Sequence, residues 1–364
     1  MTHLALWSYY KHEIAFIANE IVFKIEGEVK MKISFDDLVK TFSEKFEKRG
    51  INKEDALLAS QILAQNSLDG VYSHGVNRFP RVISYIDKGY IKKDAKAEKV
   101  DSIGSFERWD GHLALGMVNA KHAMDRAIEL AKANGIGLVA IKNTNHWMRG
   151  GTYGWQAADA GCIGICWTNT QPNMPAWGAK DRRIGNNPFV IAVPRENGEH
   201  VVLDSAMSQF SYGKIEMTKL QGKQLPVPGG FDENGNMTTD PAAIEKTWRV
   251  MPVGYWKGSG MSILLDLVAA ILSGGYSVTD IGKNCEDEYG LSQVLIAIDP
   301  TKMNEPGFQE SLIQRVVDDI TSSIPAEEGK AVRYPGQNSL KIRRENTANG
   351  IPVLDSVWEQ IIAL

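Results

Sequence analysis

Hydrophobic side chains recur every three to four residues near the start of the chain, which is the spacing of an amphipathic helix. Ser34 and Asp37 have the spacing of a capping box, and Phe42 and Phe46 continue the apolar face behind them. A second pattern of the same kind follows, opened by an asparagine and closed by a glycine. We therefore predict that residues 31–90 form the helices of an N-terminal lobe.

In the middle of the chain, helical patterns alternate with short apolar runs that have the composition of strands. The segment 119–135 has a helical period, and the segment 262–275 is apolar on nearly every face, which predicts a buried helix. This alternation predicts a mixed α/β lobe. Strands are predicted at 136–142, 163–169, 188–194, 199–204 and 291–299.

The chain has 364 residues, more than one compact core usually supports, so we divide it into lobes. The predicted organisation has an extension, an N-terminal helical lobe, a mixed α/β lobe and C-terminal helices that pack on the N-terminal lobe. Their boundaries are 1–30, 31–115, 116–300 and 301–364, in that order. The extension lacks the features of a secretion signal and carries no candidate chemistry.

Charge and cysteine content narrow the class of protein. The formal net charge is -4 and no block of Lys and Arg is present, so neither nucleic acid nor a membrane is an expected partner. Cys162, Cys166 and Cys285 follow neither a Cys-x-x-Cys nor a zinc pattern, which predicts reduced thiols in the cytoplasm. The seven histidines lack metal-ligand spacing, so no metal site is expected.

The glycine-rich segment GYWKGSGMS at 254–262 is the nearest approach to a dinucleotide-binding fingerprint. It lacks the third glycine and the preceding strand, which argues against a Rossmann fold. A glycine turn that opens a helix at Ser262, beside Lys257, would still present free N–H groups to an anion. A purely structural turn is an equal interpretation of the same residues.

Two segments pair an imidazole with a guanidinium. In GVYSHGVNRFP, His74 and Arg78 are one helical turn apart, and in NTNHWMRGG, His146 and Arg149 closely follow the predicted strand 136–142. Histidine exchanges protons near neutral pH and arginine binds carboxylates, so the pairs suit a small acid with a reactive carbonyl. A histidine that merely caps carbonyls at a helix end is the alternative interpretation of His74.

Five segments together resemble the malate/L-lactate dehydrogenase type 2 family, and the resemblance runs from about Met31 to Leu364. They are GVYSHGVNRFPR, GIGLVAIKNTNHWMRGGTYGWQAADAG, IGICWTNTQPNMPAWGAK, NNPFVIAVP and GYWKGSGMSILLDLVAAILSGG. The resemblance implies a helical lobe formed by both chain termini and a non-Rossmann mixed-sheet lobe that binds NAD. It also implies a cytoplasmic homodimer that reduces a 2-keto acid with NADH in a cleft near the subunit interface; NADPH stays open.

The resemblance also implies roles for individual residues. His74, in the family's Ser-His-Gly motif, falls on the catalytic proton donor. Ser73, Arg78, His146 and Arg149 are candidates for substrate contacts, chosen by residue type and placement. The cofactor-binding positions fall on His200, Val201, Val202, Leu203, Asp204, Ser205, Ala206, Trp256, Lys257, Gly336, Gln337 and Asn338.

Two positions depart from the family's usual pattern. Tyr72 stands two residues before His74, where much of the family has an acid, and it is typical of a branch that acts on a sugar-derived 2,3-diketo acid. Asn186 stands where threonine is usual, which alters either a cofactor contact or an adjacent turn. Malate, lactate, sulfolactate and ureidoglycolate are the alternative substrates. A sugar-acid binding protein without catalysis is the alternative of a different class.

Overall fold

The computed structural model describes residues 30–364, and residues 1–29 of the predicted extension lie outside the described part. The helices, numbered in chain order, are α1 (Phe35–Lys48), α2 (Lys53–Leu68), α3 (Phe79–Asp87), α4 (Gly116–Asn134), α5 (Gly151–Asp159), α6 (Tyr212–Leu220), α7 (Pro241–Thr247), α8 (Trp256–Ser273), α9 (Val278–Asn284), α10 (Phe308–Thr321), α11 (Gln337–Asn349) and α12 (Asp355–Ala363). The strands are β1 (Lys30–Ile33), β2 (Glu98–Ile103), β3 (Phe106–Asp110), β4 (Ile136–Asn145), β5 (Ile163–Thr168), β6 (Met174–Pro175), β7 (Arg182–Ile184), β8 (Phe189–Val193), β9 (Val201–Ser205), β10 (Gly230–Phe231), β11 (Met237–Thr238), β12 (Tyr289–Ile298) and β13 (Ile351–Leu354).

The predicted N-terminal helices form because their caps and their apolar faces agree. The Ser34 hydroxyl accepts a hydrogen bond from the backbone N–H of Asp37 at 3.1 Å, which satisfies one free donor at the start of α1. Phe42 and Phe46 are fully buried, and Phe42 stacks on Phe79 of α3 with ring centroids 4.2 Å apart. The predicted cap and apolar face are confirmed.

Both ends of the described chain meet in a strand pair that the sequence patterns did not reveal. β1 and β13 pair in antiparallel register, with Met31 opposite Val353. The Asn346 side chain of α11 donates to the Leu68 carbonyl at 2.9 Å, where α2 ends. The last segments of the chain are therefore attached to the N-terminal helices.

Helix α10 departs from the expected packing. The Gln309 side-chain amide donates to the Pro194 carbonyl at 2.7 Å, and Glu310 forms an ion pair with Arg195 at 2.8 Å. Both partners lie just after β8, so α10 is held at the mixed sheet instead of the N-terminal lobe. The domain boundaries themselves remain predictions.

The mixed lobe is built on a seven-stranded sheet in the order β2-β3-β4-β12-β5-β8-β9. β3 and β4 are parallel and the other neighbours are antiparallel, so the sheet is mixed as predicted. All five predicted strands are present, whereas β2 and β3 were missed; each residue of β2 is exposed, so that strand has no apolar face to mark it. Val139 and Ile141 face one apolar cluster and Ala140 faces another, so helices cover both faces.

Helix α8 begins earlier than predicted, at Trp256, and the glycine turn expected before Ser262 is part of the helix. A Cβ on Gly258 would lie 2.3 Å from the Val253 carbonyl oxygen, so the glycine lets the preceding chain pass close to the helix. The predicted anion site at Ser262 is therefore wrong, because the N–H groups there lie inside a continuous helix.

Helix α8 is buried on one face only, which corrects the prediction of a helix buried all round. Leu265 and Ala269 belong to an apolar cluster on the sheet, whereas Leu264, Leu267 and Ile271 are 58%, 47% and 68% exposed. The apolar pattern could not show which face this chain covers. Within residues 30–364, α8 alone is long and apolar enough to cross a membrane, and its contacts with β4, β5 and β12 make it a helix that covers the sheet.

Candidate active site

The Ser-His-Gly motif is held rigidly because its backbone is bonded to α2. A Cβ on Gly75 would lie 2.2 Å from Ser67 Oγ and 2.9 Å from the Leu63 carbonyl oxygen, so only glycine fits this close approach. The Asn66 side-chain amide donates to the His74 carbonyl at 2.9 Å. The helix end therefore fixes the position of His74.

The His74 ring lies beside a second imidazole. It stacks on His146 with ring centroids 5.7 Å apart, and Ser73 Oγ lies 3.1 Å from His74 Nδ1. If the Ser73 hydroxyl donates to Nδ1, the neutral ring carries its hydrogen on Nε2. Burial and the charges of Arg78 and Arg149 lower the pKa of His74 to about 4. His74 is therefore neutral at pH 7 in the free protein.

His146 is oriented by the loop that follows β4. The backbone N–H of Met148 donates to His146 Nδ1 at 2.9 Å, so the neutral ring carries its hydrogen on Nε2. That Nε2 lies 4.0 Å from an Oε2 of Glu288. Burial and the positive charge of Arg78 lower the pKa of His146 well below its usual range. His146 can therefore donate a hydrogen bond from Nε2 without being charged.

Arg78 is a largely enclosed cation in the same place. Its side chain is 22% exposed, and its Nη2 lies 3.5 Å from Glu288 Oε2. Within the described residues, Glu288 is the carboxylate that lies within 4 Å of the guanidinium. We call His74, Arg78, His146 and Glu288 the polar cluster. The structure thus brings together three of the predicted site residues.

Arg149 is engaged elsewhere. Its guanidinium pairs with the buried carboxylate of Asp69, which also accepts two hydrogen bonds from Arg343 at 2.6 and 2.8 Å. Burial raises the pKa of Asp69, but the bond and charge of Arg343 and the charge of Arg149 outweigh it, so that the pKa is lowered. Arg149 Nε also lies 3.9 Å from Asp204. Arg149 therefore reaches His74 through its charge, and a direct substrate contact remains a prediction.

The predicted cofactor segments meet along β9. Gly336 has φ 93°, and a Cβ there would lie 3.1 Å from Val202 N and 3.2 Å from the His200 carbonyl oxygen. The Val202 N–H donates to the Pro335 carbonyl at 3.0 Å, which fixes the loop before α11 against the strand. The start of α8 lies beside the end of β9, where Val253 N donates to the Met207 carbonyl at 2.9 Å.

Not every residue of these segments has a free side chain. The His200 ring accepts a hydrogen bond from Arg195 N at 2.9 Å, and its other nitrogen lies 2.9 Å from Asp159. His200 is also buried, so it can contact a ligand through its backbone only. Leu203 and Trp256 are 45% and 66% exposed and offer apolar surface.

The residues present fit a nicotinamide cofactor. The exposed Leu203 and Trp256 suit flat rings. A cavity of about 190 Å³ beside Gln337 is lined by three cations, Arg333, Lys341 and Arg344, and by Glu199, which pairs with Arg344 at 2.7 Å. The lining is positive on balance. Within residues 30–364, no group of His, Cys, Asp or Glu side chains is arranged to hold a metal ion.

Glu288 is the member of the polar cluster that the sequence analysis missed. It directly precedes β12, and the antiparallel pairing of Tyr289 with Asn145 sets it beside His146. The predicted strand 291–299 marked this region, but its pairing with β4 could not be read from the pattern. The acidic run before that strand was the available signal.

The two positions that depart from the family's pattern contact protein groups. The Tyr72 hydroxyl accepts from the Asn346 amide at 3.2 Å, which ties the turn before His74 to α11. Asn186 Oδ1 accepts from Asn173 at 2.7 Å and from Thr170 at 3.2 Å. Asn186 thus contacts the adjacent turn, and a contact with the cofactor remains a prediction.

Comparison with known proteins agrees with this geometry. The family model described as malate/L-lactate dehydrogenase matches residues 33–362. A 2,3-diketo-L-gulonate reductase of Escherichia coli (strain K12 / DH10B) is 49% identical over 92% of this chain and all of its own length. The reductase of that name from Citrobacter koseri is 48% identical over the same shares.

Solved structures give the same result for the fold. A malate dehydrogenase from Pyrococcus horikoshii OT3 has a TM-score of 0.83 and 27% identity, over 93% of this chain and 96% of its own. The sulfolactate dehydrogenase of Methanocaldococcus jannaschii has a TM-score of 0.82 and 29% identity, over 91% and 95%. The protein is therefore an oxidoreductase, and it belongs to the malate/L-lactate dehydrogenase family.

Proposed function

We propose that this enzyme reduces 2,3-diketo-L-gulonate to 3-keto-L-gulonate with NADH. The observation that carries the proposal is the polar cluster, in which His74 lies beside the enclosed Arg78 and His146. The chain is 49% and 48% identical, over 92% of its length, to two proteins named 2,3-diketo-L-gulonate reductase, which supports this substrate over other keto acids. NADPH is the alternative cofactor.

The substrate carboxylate would bind Arg78. The guanidinium uses one nitrogen toward Glu288, and its planar fork has further N–H groups to give. His146 would donate from Nε2 to a substrate oxygen, because its Nδ1 is already bonded to a backbone N–H. These contacts would orient the C2 carbonyl toward His74.

NADH supplies a hydride to C2 when it is bound, and β9, the loop at Gly336 and the start of α8 would hold it. The oxygen on C2 then needs one proton, which His74 would donate from Nε2. Since His74 is neutral in the free enzyme, we infer that the negative charge of the bound substrate allows it to be protonated. The hydride and the proton together convert the carbonyl to an alcohol.

We also propose that the enzyme is a homodimer joined through α8. Its outer face exposes Leu264, Leu267 and Ile271 in one stripe, and Met261 is 45% exposed beside them. A contiguous apolar stripe of this kind is typical of a protein interface. A second copy of the chain is the partner that the family resemblance implies. The free thiols Cys162, Cys166 and Cys285 support the cytoplasm as its location.

The substitution His74→Ala tests the proposed acid. We expect kcat to fall by about 10²–10⁴-fold, the usual contribution of a general acid, while NADH still quenches tryptophan fluorescence. His122→Ala is the matched control, because His122 is exposed on α4. A His74→Ala enzyme with undiminished turnover would remove His74 from the mechanism.

A further inference from the structure

Glu288 belongs to an acidic segment that attaches the mixed lobe to α3 and the loop that follows it. Arg81 donates to Asp287 at 2.9 Å, and the Tyr90 hydroxyl donates to Glu286 at 2.9 Å. The Tyr90 and Tyr289 rings stack with centroids 4.7 Å apart. Neighbouring residues on both sides of Glu288 thus have structural partners, and their contacts fix where Glu288 lies.

Glu288 is the carboxylate that lies beside Arg78, whereas the other arginines near the polar cluster pair with other carboxylates. Arg149 pairs with Asp69, which it shares with Arg343, and Arg81 pairs with Asp287. Arg78 keeps its proton at any physiological pH, and Glu288 is the anion beside it.

The other groups around Glu288 are few. His146 lies beside it on the β4 side, Tyr212 of α6 is within electrostatic range, and the backbone of Gln171 donates a hydrogen bond to it. Glu288 itself is only 6% exposed. Burial raises the pKa of Glu288 above its usual range, and the charges of Arg78 and Arg81 offset only part of that rise.

We propose that Glu288 is a positioning residue for the proposed reaction: it orients Arg78 and His146, and its negative charge offsets part of the Arg78 charge that opposes the protonation of His74. The proposal rests on the proposed function. Glu288 acts on His74 through these two neighbours, so it is not a proton donor to the substrate. It also opposes the binding of a second anion at Arg78, which limits how tightly the substrate is held.

The substitution Glu288→Gln removes the charge and keeps the shape. The imidazole should then be harder to protonate, so the decline of kcat with rising pH should move to lower pH by about one unit. Oxalate, an unreactive anion that competes for Arg78, should inhibit about tenfold more strongly. NADH binding, followed by fluorescence, should not change. Glu286→Gln, on the same segment but bonded to Tyr90, is the matched control and should leave the pH profile in place.

The substitution Arg78→Gln should shift the decline of kcat with pH in the opposite direction. Removing the positive charge should move the decline of kcat to higher pH by about the same amount, although oxalate would bind weakly. The double variant Arg78→Gln/Glu288→Gln removes both buried charges, and its decline should lie near that of the parent enzyme and about one pH unit below that of Arg78→Gln. This variant keeps the test open if Glu288→Gln alone does not fold, because it leaves no uncompensated charge. A double variant whose decline coincides with that of Arg78→Gln would overturn the inference.

The outcomes separate the two proposals. If the parent enzyme fails to oxidise NADH with every 2-keto acid tested, the proposed function itself is overturned. A parent enzyme that turns over, with pH profiles of the Glu288 and Arg78 variants that coincide with its own, would leave Glu288 as a structural link and overturn this inference. Weaker inhibition by oxalate in Glu288→Gln would also overturn it.

Discussion

At the scale of single residues, the proposed chemistry depends on the protonation state of His74. Burial and two neighbouring guanidinium groups lower the pKa of His74 to about 4, yet the reaction needs its protonated form. The substrate carboxylate adds a negative charge beside Arg78, which favours protonation in the complex. The pKa of His74 should therefore be higher in the complex than in the free enzyme.

A pH dependence follows from this difference. The ratio kcat/KM should fall as the pH rises above the pKa of the free enzyme, whereas kcat should hold until the pH passes the higher pKa of the complex. Between the pKa of His74 in the free enzyme and its higher pKa in the complex, KM for the keto acid should therefore rise by up to about tenfold per pH unit. Steady-state kinetics from pH 5 to 8 measures this, and a KM independent of pH would contradict the coupling.

At the scale of single residues, the sequence was informative where chemistry and spacing coincide. His74, Arg78 and His146 could be selected by residue type, and the structure brings them together. The engagement of Arg149 could not be seen, because Asp69 lies 80 positions away and meets it only in the folded chain. Glu288 was missed for the same reason.

At the scale of elements, the loop before α11 makes a close contact with β9. Gly336 lies against the backbone of β9, with φ 93° and 3.1 Å from an added Cβ to Val202 N. Any side chain there must displace the loop from the strand that would carry the cofactor. The loop thus couples a single glycine to the proposed NADH site.

The substitution Gly336→Val should weaken NADH binding. We expect KM for NADH to rise by about tenfold or more, because the loop at 334–338 can no longer lie against β9. Gly235→Val is the matched control: Gly235 also has positive φ, but an added Cβ would meet nothing within 4 Å. Equal KM values for NADH in both variants would separate this loop from the cofactor.

The elements predicted best are those whose pattern is local. The caps of α1 and α2 and the five strands of the mixed lobe are present as expected, since period and cap residues lie within one segment. The pair β1–β13 was missed because four-residue strands carry too little pattern. The start of α8 was misplaced because its glycines look like a turn, although Gly258 lies in the helix and is needed for close packing.

At the scale of the whole molecule, the proposed dimer depends on the outer face of α8. The substitution Leu264→Glu places a charge in the centre of the exposed apolar stripe, so it should dissociate the proposed dimer. Leu57→Glu is the control, because Leu57 is 46% exposed on α2, away from α8. Sedimentation velocity distinguishes the species, and a Leu264→Glu protein that remains dimeric would exclude α8 as the interface.

The fold class was accessible from the sequence because the absence of a dinucleotide fingerprint and the mixed order of elements agreed. The burial of α8 could not be predicted, since a pattern that is apolar on every face does not tell which side of the helix this chain covers. Lobe packing likewise depends on contacts between distant segments, as α10 shows.

The substrate is tested most directly by the oxidation of NADH, followed by its absorbance, with 2,3-diketo-L-gulonate, pyruvate and oxaloacetate as separate substrates, and again with NADPH. We predict rapid oxidation of NADH with the diketo acid and little with the other two. Turnover with pyruvate or oxaloacetate alone would contradict the proposed substrate while keeping the family. Binding of NADH without oxidation by any of the three would contradict the proposed reaction.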